Sequence, residues 1–266
     1  MFATRLISGI ILVLLAVLFV GQGGLPLFLI TAAISLTGLF ELYRALGIEK
    51  RSAGVVGYLM ALSYYGILWF EGERYLTLML IASLMILLSL YVFTFPKYRT
   101  EEITAAFFGV CYVPVMLSFL YQTRMMSDGV YLVWLIFISS WGCDTCAYCF
   151  GMLFGKHKLA PVLSPKKSIE GAVGGVAGAA LLGVALGFLF GKHMSEVTNP
   201  QAACGAACAI GAMISQIGDL AASAIKRNHE IKDYGHLIPG HGGVMDRFDS
   251  MIFTAPAVYF ALTFLR

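Results

Sequence analysis

Long apolar runs separated by short polar segments repeat from one end of the chain to the other. A membrane-crossing helix needs about 20 mostly apolar residues. Nine stretches qualify, at approximately 5–21, 25–41, 53–70, 75–95, 103–122, 129–151, 171–191, 201–224 and 250–265. The division between the first two is the weakest, because they are so closely spaced. The first run, "LISGIILVLLAVLFV" behind Arg5, has the outline of a signal peptide. No small-x-small cleavage pattern follows it and apolar sequence resumes at Leu25, so a retained helix is expected.

Composition agrees. The 266 residues are 59% hydrophobic and 12% charged, with mean hydropathy +0.82. Soluble domains carry roughly 25% charged residues. The expected class is an all-α, polytopic membrane protein of about nine transmembrane helices. Lysine and arginine collect on the cytoplasmic side of such proteins. With nine spans, fourteen fall on the side of the N-terminus: Arg5, Arg44, Lys50, Arg51, Lys97, Arg99, Lys156, Lys158, Lys166, Lys167, Lys226, Arg227, Lys232 and Arg247. Four fall opposite: Arg74, Arg124, Lys192 and Arg266. The N-terminus is therefore expected in the cytoplasm, and so are the polar loops 152–170 and 225–249. The net charge of +3 adds little. No repeat, low-complexity tract or long soluble insertion divides the chain, which reads as one continuous membrane domain. Residues 1–125 form its scaffold and residues 126–266 carry its chemistry. In the first half the one charged cluster, "ELYRALGIEKR", reads as an interfacial cap.

The second half differs. Asp144 sits within the sixth run and Asp219 within the eighth. A carboxylate at the centre of a span costs roughly 2.5–3.5 kcal/mol on insertion scales. Asp144, Asp219, Asp246 and Asp249 all fall near the cytoplasmic ends of spans six, eight and nine. The i, i+3 spacing of Asp246 and Asp249 puts them on one helical face. Asp219, Ser223 and Lys226 share another. Four carboxylates gathered without a cation would repel one another, and oxygen-only ligands favour Mg²⁺, whose shell substrate phosphates commonly complete. Span seven, "GAVGGVAGAALLGVALG", has the small residues that let membrane helices approach closely. Cys143, Cys146 and Cys149 have a spacing seen in iron–sulfur proteins. With no fourth ligand at a supporting spacing, they read as small packing residues.

The cations stand beside the carboxylates in "SPKKSIEG" and "KRNHEIKD", which hold Lys166, Lys167, Lys226, Arg227 and Lys232. Ser164 before Pro165 reads as a turn and Ser168 before Glu170 as a helix start. Span seven then begins close to Lys167, with free N–H groups suited to phosphate. The "PGHGG" loop, with Gly240, Gly242 and Gly243, allows backbone to approach phosphate closely. His241 is open to acid–base, phosphate-donor and turn-forming roles.

These residues resemble the signature of phosphatidate cytidylyltransferases, also called CDP-diacylglycerol synthases. The match runs from Ser223 through Lys226-Arg227 and Lys232-Asp233 to Pro239-Gly240-His241-Gly242-Gly243, Asp246-Arg247 and Asp249. A second stretch is similar at Asp144, Ala147-Tyr148, Gly155-Lys156, Ser164-Pro165-Lys166-Lys167 and Glu170-Gly171. Cys143 stands where the family often has Ser, Met152 where it often has Arg, and Ser168 where Thr is common. The resemblance implies transfer of a cytidylyl group from CTP to phosphatidate with Mg²⁺, a monovalent cation such as K⁺, and a homodimer in a bacterial inner membrane. Nucleic acid is not among the expected partners. On this reading Asp219, Asp246 and Asp249 hold the metal, with Asp144 as ligand or supporting partner. Lys167, Lys226, Arg227 and Arg247 neutralise phosphate charge. Ser164, Lys166, Ser168, Glu170, Ser223, Lys232 and the loop residues Gly240 to Gly243 contact substrate. Two other readings stay open: a CDP-alcohol phosphotransferase, and a cation-coupled transporter using Asp144 and Asp219 as ion sites.

Overall fold

The computed structural model of the chain describes residues 2–240 and 242–265, with side chains from residue 7 onward. His241 and Arg266, and the side chain of Arg5, lie outside the described residues. Among the described residues nine long helices follow one another: Phe2–Gln22, Gly24–Ala45, Ser52–Phe70, Leu76–Phe93, Thr100–Met125, Gly129–Phe154, Ile169–Phe190, Pro200–Asn228 and Met245–Leu265. Among the described residues, eight of them are long and apolar enough to cross a membrane, and the apolar part of the first covers Ile7–Gln22. Leu78, Phe93, Val173, Leu189 and Phe264 are exposed. In water such a surface would aggregate, whereas a bilayer solvates it. The chain is an integral membrane protein.

The division between the first two helices is sharp. Gly23 and Gly24 both have left-handed backbone, at φ +65° and +50°, where other residues are strained. Two contacts join helix ends that nine alternating spans would put on the same side. Arg124, in the last turn of the fifth helix, donates to the Val20 carbonyl at 3.0 Å near the end of the first. Arg44, near the end of the second, donates to the Tyr234 carbonyl at 2.5 Å in the loop after the eighth.

Two helices carry wide π-helical turns, at Cys111–Val115 and Ile138–Gly142. Pro114 explains the first, because it lacks an N–H and crowds the preceding turn. The second ends two residues before Asp144.

One element departs from the all-helical expectation. Lys158–Ala160 and Ser164–Ser168 pair as a short antiparallel hairpin between the sixth and seventh helices. Ser164 thus starts a strand rather than a turn. Ser168 does start the helix: its Oγ accepts the Gly171 N–H at 3.1 Å. Glu170 clips the hairpin down by accepting the N–H groups of Lys156 (3.0 Å) and His157 (3.2 Å).

The seventh helix packs between the sixth and eighth, and the eighth packs on the ninth. Without a hydrophobic drive between helices in lipid, close backbone approach has to supply the contact. A Cβ at Gly178 would meet Cys146 Sγ at 2.5 Å, and one at Gly183 would meet Cys208 Sγ at 2.8 Å. These cysteines are packing residues, as their setting in the sequence suggests. At Gly175 an added Cβ would lie 2.9 Å from Ala147 Cβ and 3.0 Å from the Cys143 carbonyl oxygen. Overpacking of this kind costs about 1–3 kcal/mol. Gly175→Val is therefore expected to melt earlier in detergent than Gly66→Val, where nothing lies within 4 Å. Equal melting of the two variants would disprove this packing role.

Candidate active site

A cavity of about 590 Å³ opens where the sixth to ninth helices meet the hairpin. Asp144 comes to it from the sixth helix, two residues after the π turn. The hairpin contributes Ser164, Lys166, Lys167 and Ser168. Asp219 and Lys226 come from the eighth helix, whose extension to Asn228 keeps both on one continuous face. Asp246, Arg247 and Asp249 come from the first turns of the ninth, which begins at Met245 rather than near residue 250. All ten residues, drawn from segments more than a hundred positions apart at the extremes, line the one cavity. A hydrogen bond of 2.7 Å between the hydroxyls of Ser140 and Ser250 ties the sixth helix to the ninth beside it.

Charges inside are interleaved. Lys167 forms an ion pair with Asp219, both side chains about a quarter exposed. Lys226 Nζ lies 2.9 Å from Asp246 Oδ1 and 4.0 Å from Asp249 Oδ2. This second pair is more deeply set, with side-chain exposures of 13% for Lys226 and 3% for Asp246. Asp246 Oδ2 accepts two further bonds, from the N–H groups of Tyr234 (2.8 Å) and Gly243 (3.0 Å). Asp144 lies within electrostatic range of Asp219, Lys167 and Arg247. Tyr234 braces the arrangement: its hydroxyl donates to the Ala222 carbonyl at 3.0 Å, and its ring faces Lys226 Nζ at 5.3 Å. Burial, with Tyr112, Asp249 and Asp246 behind it, pushes the Tyr234 phenol well above its ordinary range, so it stays protonated and donating.

Two more hollows adjoin. A polar one is lined by Lys232, Asp233, His236, Ile238, Pro239, Gly240, Gly242 and Arg247. Arg247 and Asp233 belong to both polar cavities. The Arg247 Nε is buried and has no hydrogen-bond partner among the described residues. A buried donor left unpaired is costly, so this guanidinium has capacity for an anionic ligand. On the other flank an apolar groove of about 520 Å³ shares Leu159, Ala172 and Gln216 with the main cavity.

Some expected residues stand elsewhere. Arg227 is exposed at the end of the eighth helix and lines neither polar cavity. Ser223, Glu170 and Gly243 line neither as well. Glu170 is engaged by the hairpin, and Gly243 donates its N–H to Asp246. His241 lies outside the described residues. Gly240 and Gly242 do take left-handed backbone, at φ +76° and +84°.

Other residues were not singled out by the sequence. Gln216 bridges the eighth helix to the Ala172 carbonyl at 3.0 Å, and its one signal was a lone amide a turn before Asp219. The interfacial-cap reading of "ELYRALGIEKR" needs correcting for Glu41 and Arg44. Glu41 is buried and Arg44 is exposed, and together they bind the loop before the ninth helix and the start of that helix.

A hard divalent cation suits the donor set, which is carboxylate oxygen throughout. Among the described residues, however, no three carboxylate, imidazole or thiolate groups converge tightly enough to hold one as they stand. The reason is visible: lysines already serve as counter-ions to Asp219 and Asp246. Each carboxylate oxygen has two lone pairs, so these groups keep acceptor capacity beyond their present partners.

Membrane helices converging on a cavity rich in both cations and carboxylates, with an apolar groove alongside, define a membrane-embedded enzyme that handles phosphate groups. A model of the cytidylyltransferase family matches residues 3–265, and the chain belongs to that family. It is 34% identical over 257 residues to a phosphatidate cytidylyltransferase of Staphylococcus epidermidis, covering 95% of each chain. A Staphylococcus haemolyticus protein of the same name is 33% identical over 259 residues, again covering 95% of each. A third, from Staphylococcus aureus, is 37% identical over 177 residues, 66% of this chain and 65% of its own. This membership favours the cytidylyltransferase reading over the phosphotransferase and transporter readings.

Proposed function

We propose that the chain, as a homodimer, transfers the cytidylyl group of CTP to phosphatidate, giving CDP-diacylglycerol and pyrophosphate. One observation carries the reading. The cavity that holds Lys166, Lys167, Lys226 and Arg247 shares Leu159, Ala172 and Gln216 with an apolar groove. A lipid phosphate needs both surfaces at once, with its acyl chains along Ala172, Val176 and Ile217 and its headgroup among the lysines. The excess of lysine and arginine on the side of these loops supports a cytoplasmic face, where CTP is available. Residues 126–266 carry the site, and residues 1–125 are its scaffold.

In the reaction a phosphatidate oxygen attacks the α-phosphorus of CTP. A P–O bond forms as the bond from that phosphorus to the β-phosphate oxygen breaks, and pyrophosphate leaves with the electron pair. A phosphomonoester has its second pKa at about 6, so the nucleophile is largely dianionic at neutral pH and no dedicated base is needed. The difficulty is bringing two anions together. Lys167, Lys226 and Arg247 lower that repulsion, and Arg247, standing between the two polar cavities, suits the departing pyrophosphate. Lys232, Gly240 and Gly242 extend the surface available to it. Asp219, Asp246 and Asp249, with Asp144 beside them, would hold Mg²⁺, which when bound supplies further charge neutralisation of phosphate oxygens. K⁺ beside it is what the family resemblance implies.

The test is pyrophosphate release by the purified full chain in detergent. Release is expected only with CTP and phosphatidate together, to stop on chelation and to return with Mg²⁺, from particles that light scattering sizes as two chains. Release without phosphatidate, or none with both substrates, overturns the proposal.

A further inference from the structure

We infer that Glu41 is a positioning residue for this site: it caps the ninth helix from another helix and so fixes Asp246. The inference rests on the cytidylyltransferase reading above. The first N–H groups of any helix lack acceptors within the helix, and a local Ser, Thr, Asp or Asn side chain usually supplies one. The residues entering the ninth helix are Gly242, Gly243 and Val244, none of which has a side-chain acceptor. Glu41 fills the gap from the second helix. Its Oε1 accepts the Val244 N–H at 3.1 Å and its Oε2 the Met245 N–H at 2.8 Å. The residue is buried, at 3% exposure. A carboxylate there also suits the positive end of the helix dipole.

The surroundings are shaped around it. A Cβ at Gly243 would sit 2.6 Å from the Glu41 carboxyl carbon, and one at Gly235 would sit 2.7 Å from it. Glycine at both positions makes room for the carboxylate, a reason for Gly243 distinct from approach to phosphate. The Gly243 N–H goes to Asp246 while the next two go to Glu41, so residues 243–245 are held between two carboxylates. One turn along, Arg44 grips the carbonyl of Tyr234, whose N–H binds Asp246. The second helix thus holds both backbone segments that orient the Asp246 carboxylate. Glu41 lines neither polar cavity, so its effect on turnover has to pass through Asp246.

Glu41→Gln keeps the volume but replaces one acceptor with an NH₂ that faces a backbone donor. In the purified full chain it is expected to lower kcat by about tenfold to a hundredfold, the scale of a small misplacement of a reacting group. KM for CTP and for phosphatidate should each stay within about threefold, and amides 243–246 should exchange hydrogen faster. On an Asp246→Asn background the same change should cost nothing further, since residues acting through one another are not additive. Arg44→Gln, which leaves Glu41 in place, should lower kcat in the same direction and covers the case in which Glu41→Gln does not fold. An active wild type with equally active Glu41→Gln and Arg44→Gln variants defeats the inference. So does a Glu41→Gln loss that is undiminished on the Asp246→Asn background, which would mark a general anchor. An inactive wild type defeats the cytidylyltransferase reading instead.

Discussion

Asp246→Asn is expected to lower turnover by about a hundredfold or more, the scale of losing one preorganised electrostatic partner, and to lower the melting temperature with it. Both oxygens of Asp246 are committed, Oδ1 to Lys226 and Oδ2 to two backbone N–H groups. An asparagine must turn its NH₂ toward one set of donors or the other, so it cannot satisfy both. It also leaves Lys226 facing Asp249 alone, at 4.0 Å. Removing one partner of a buried ion pair costs about 3–5 kcal/mol. Turnover and stability are separable through Asp246→Asn combined with Lys226→Met, which removes both charges. Melting should recover in the double variant and pyrophosphate release should not. Activity returning together with stability would show that the pair serves the fold only.

Lys167→Met is expected to cut kcat/KM by a similar factor, about a hundredfold, while leaving melting nearly unchanged. Its ion pair with Asp219 has the same chemistry as the Lys226–Asp246 pair, but both side chains are about a quarter exposed. Pairs that open to solvent contribute about 0–1 kcal/mol. What Lys167 offers instead is position: the hairpin carries it over the cavity, and the helix started by Ser168 follows at once. A lysine released from Asp219 can meet a substrate phosphate, and methionine cannot. The comparison of the two variants therefore sets burial against chemistry. If Lys167→Met melted as early as Asp246→Asn, the contrast in burial would not be what sets stability here.

The legible parts of this molecule share a cause. Asp219 and Lys226 could be placed together because seven residues make about two helical turns, and Asp246 and Asp249 because three make nearly one. The glycines of the seventh helix could be read as contact points because lipid leaves few other reasons for them. The hairpin was not legible, since a strand as short as Lys158–Ala160 offers too few residues to show a period of two. Glu41 was hidden for a different reason. Its partners are backbone N–H groups 203 and 204 positions away, and any residue sequence presents those. A glutamate near a helix end reads the same whether it faces water or an uncapped helix. Arg227 illustrates the converse: it adjoins Lys226 in the sequence, but one step along a helix turns a side chain by about 100°, away from the cavity.

The tie between Glu41 and the start of the ninth helix has a consequence for how the protein is made. A ribosome adding about 5–20 residues per second needs roughly 10–40 s to synthesise the 204 residues from Glu41 to Met245. Throughout that interval the second helix is already available to the bilayer, with an acid near its end whose partners do not yet exist. Only the start of the ninth helix supplies them, and the same segment brings Asp246, Arg247 and Asp249. Synthesis of the ninth helix and assembly of the reactive centre are thus one event, and a chain released before that helix has neither.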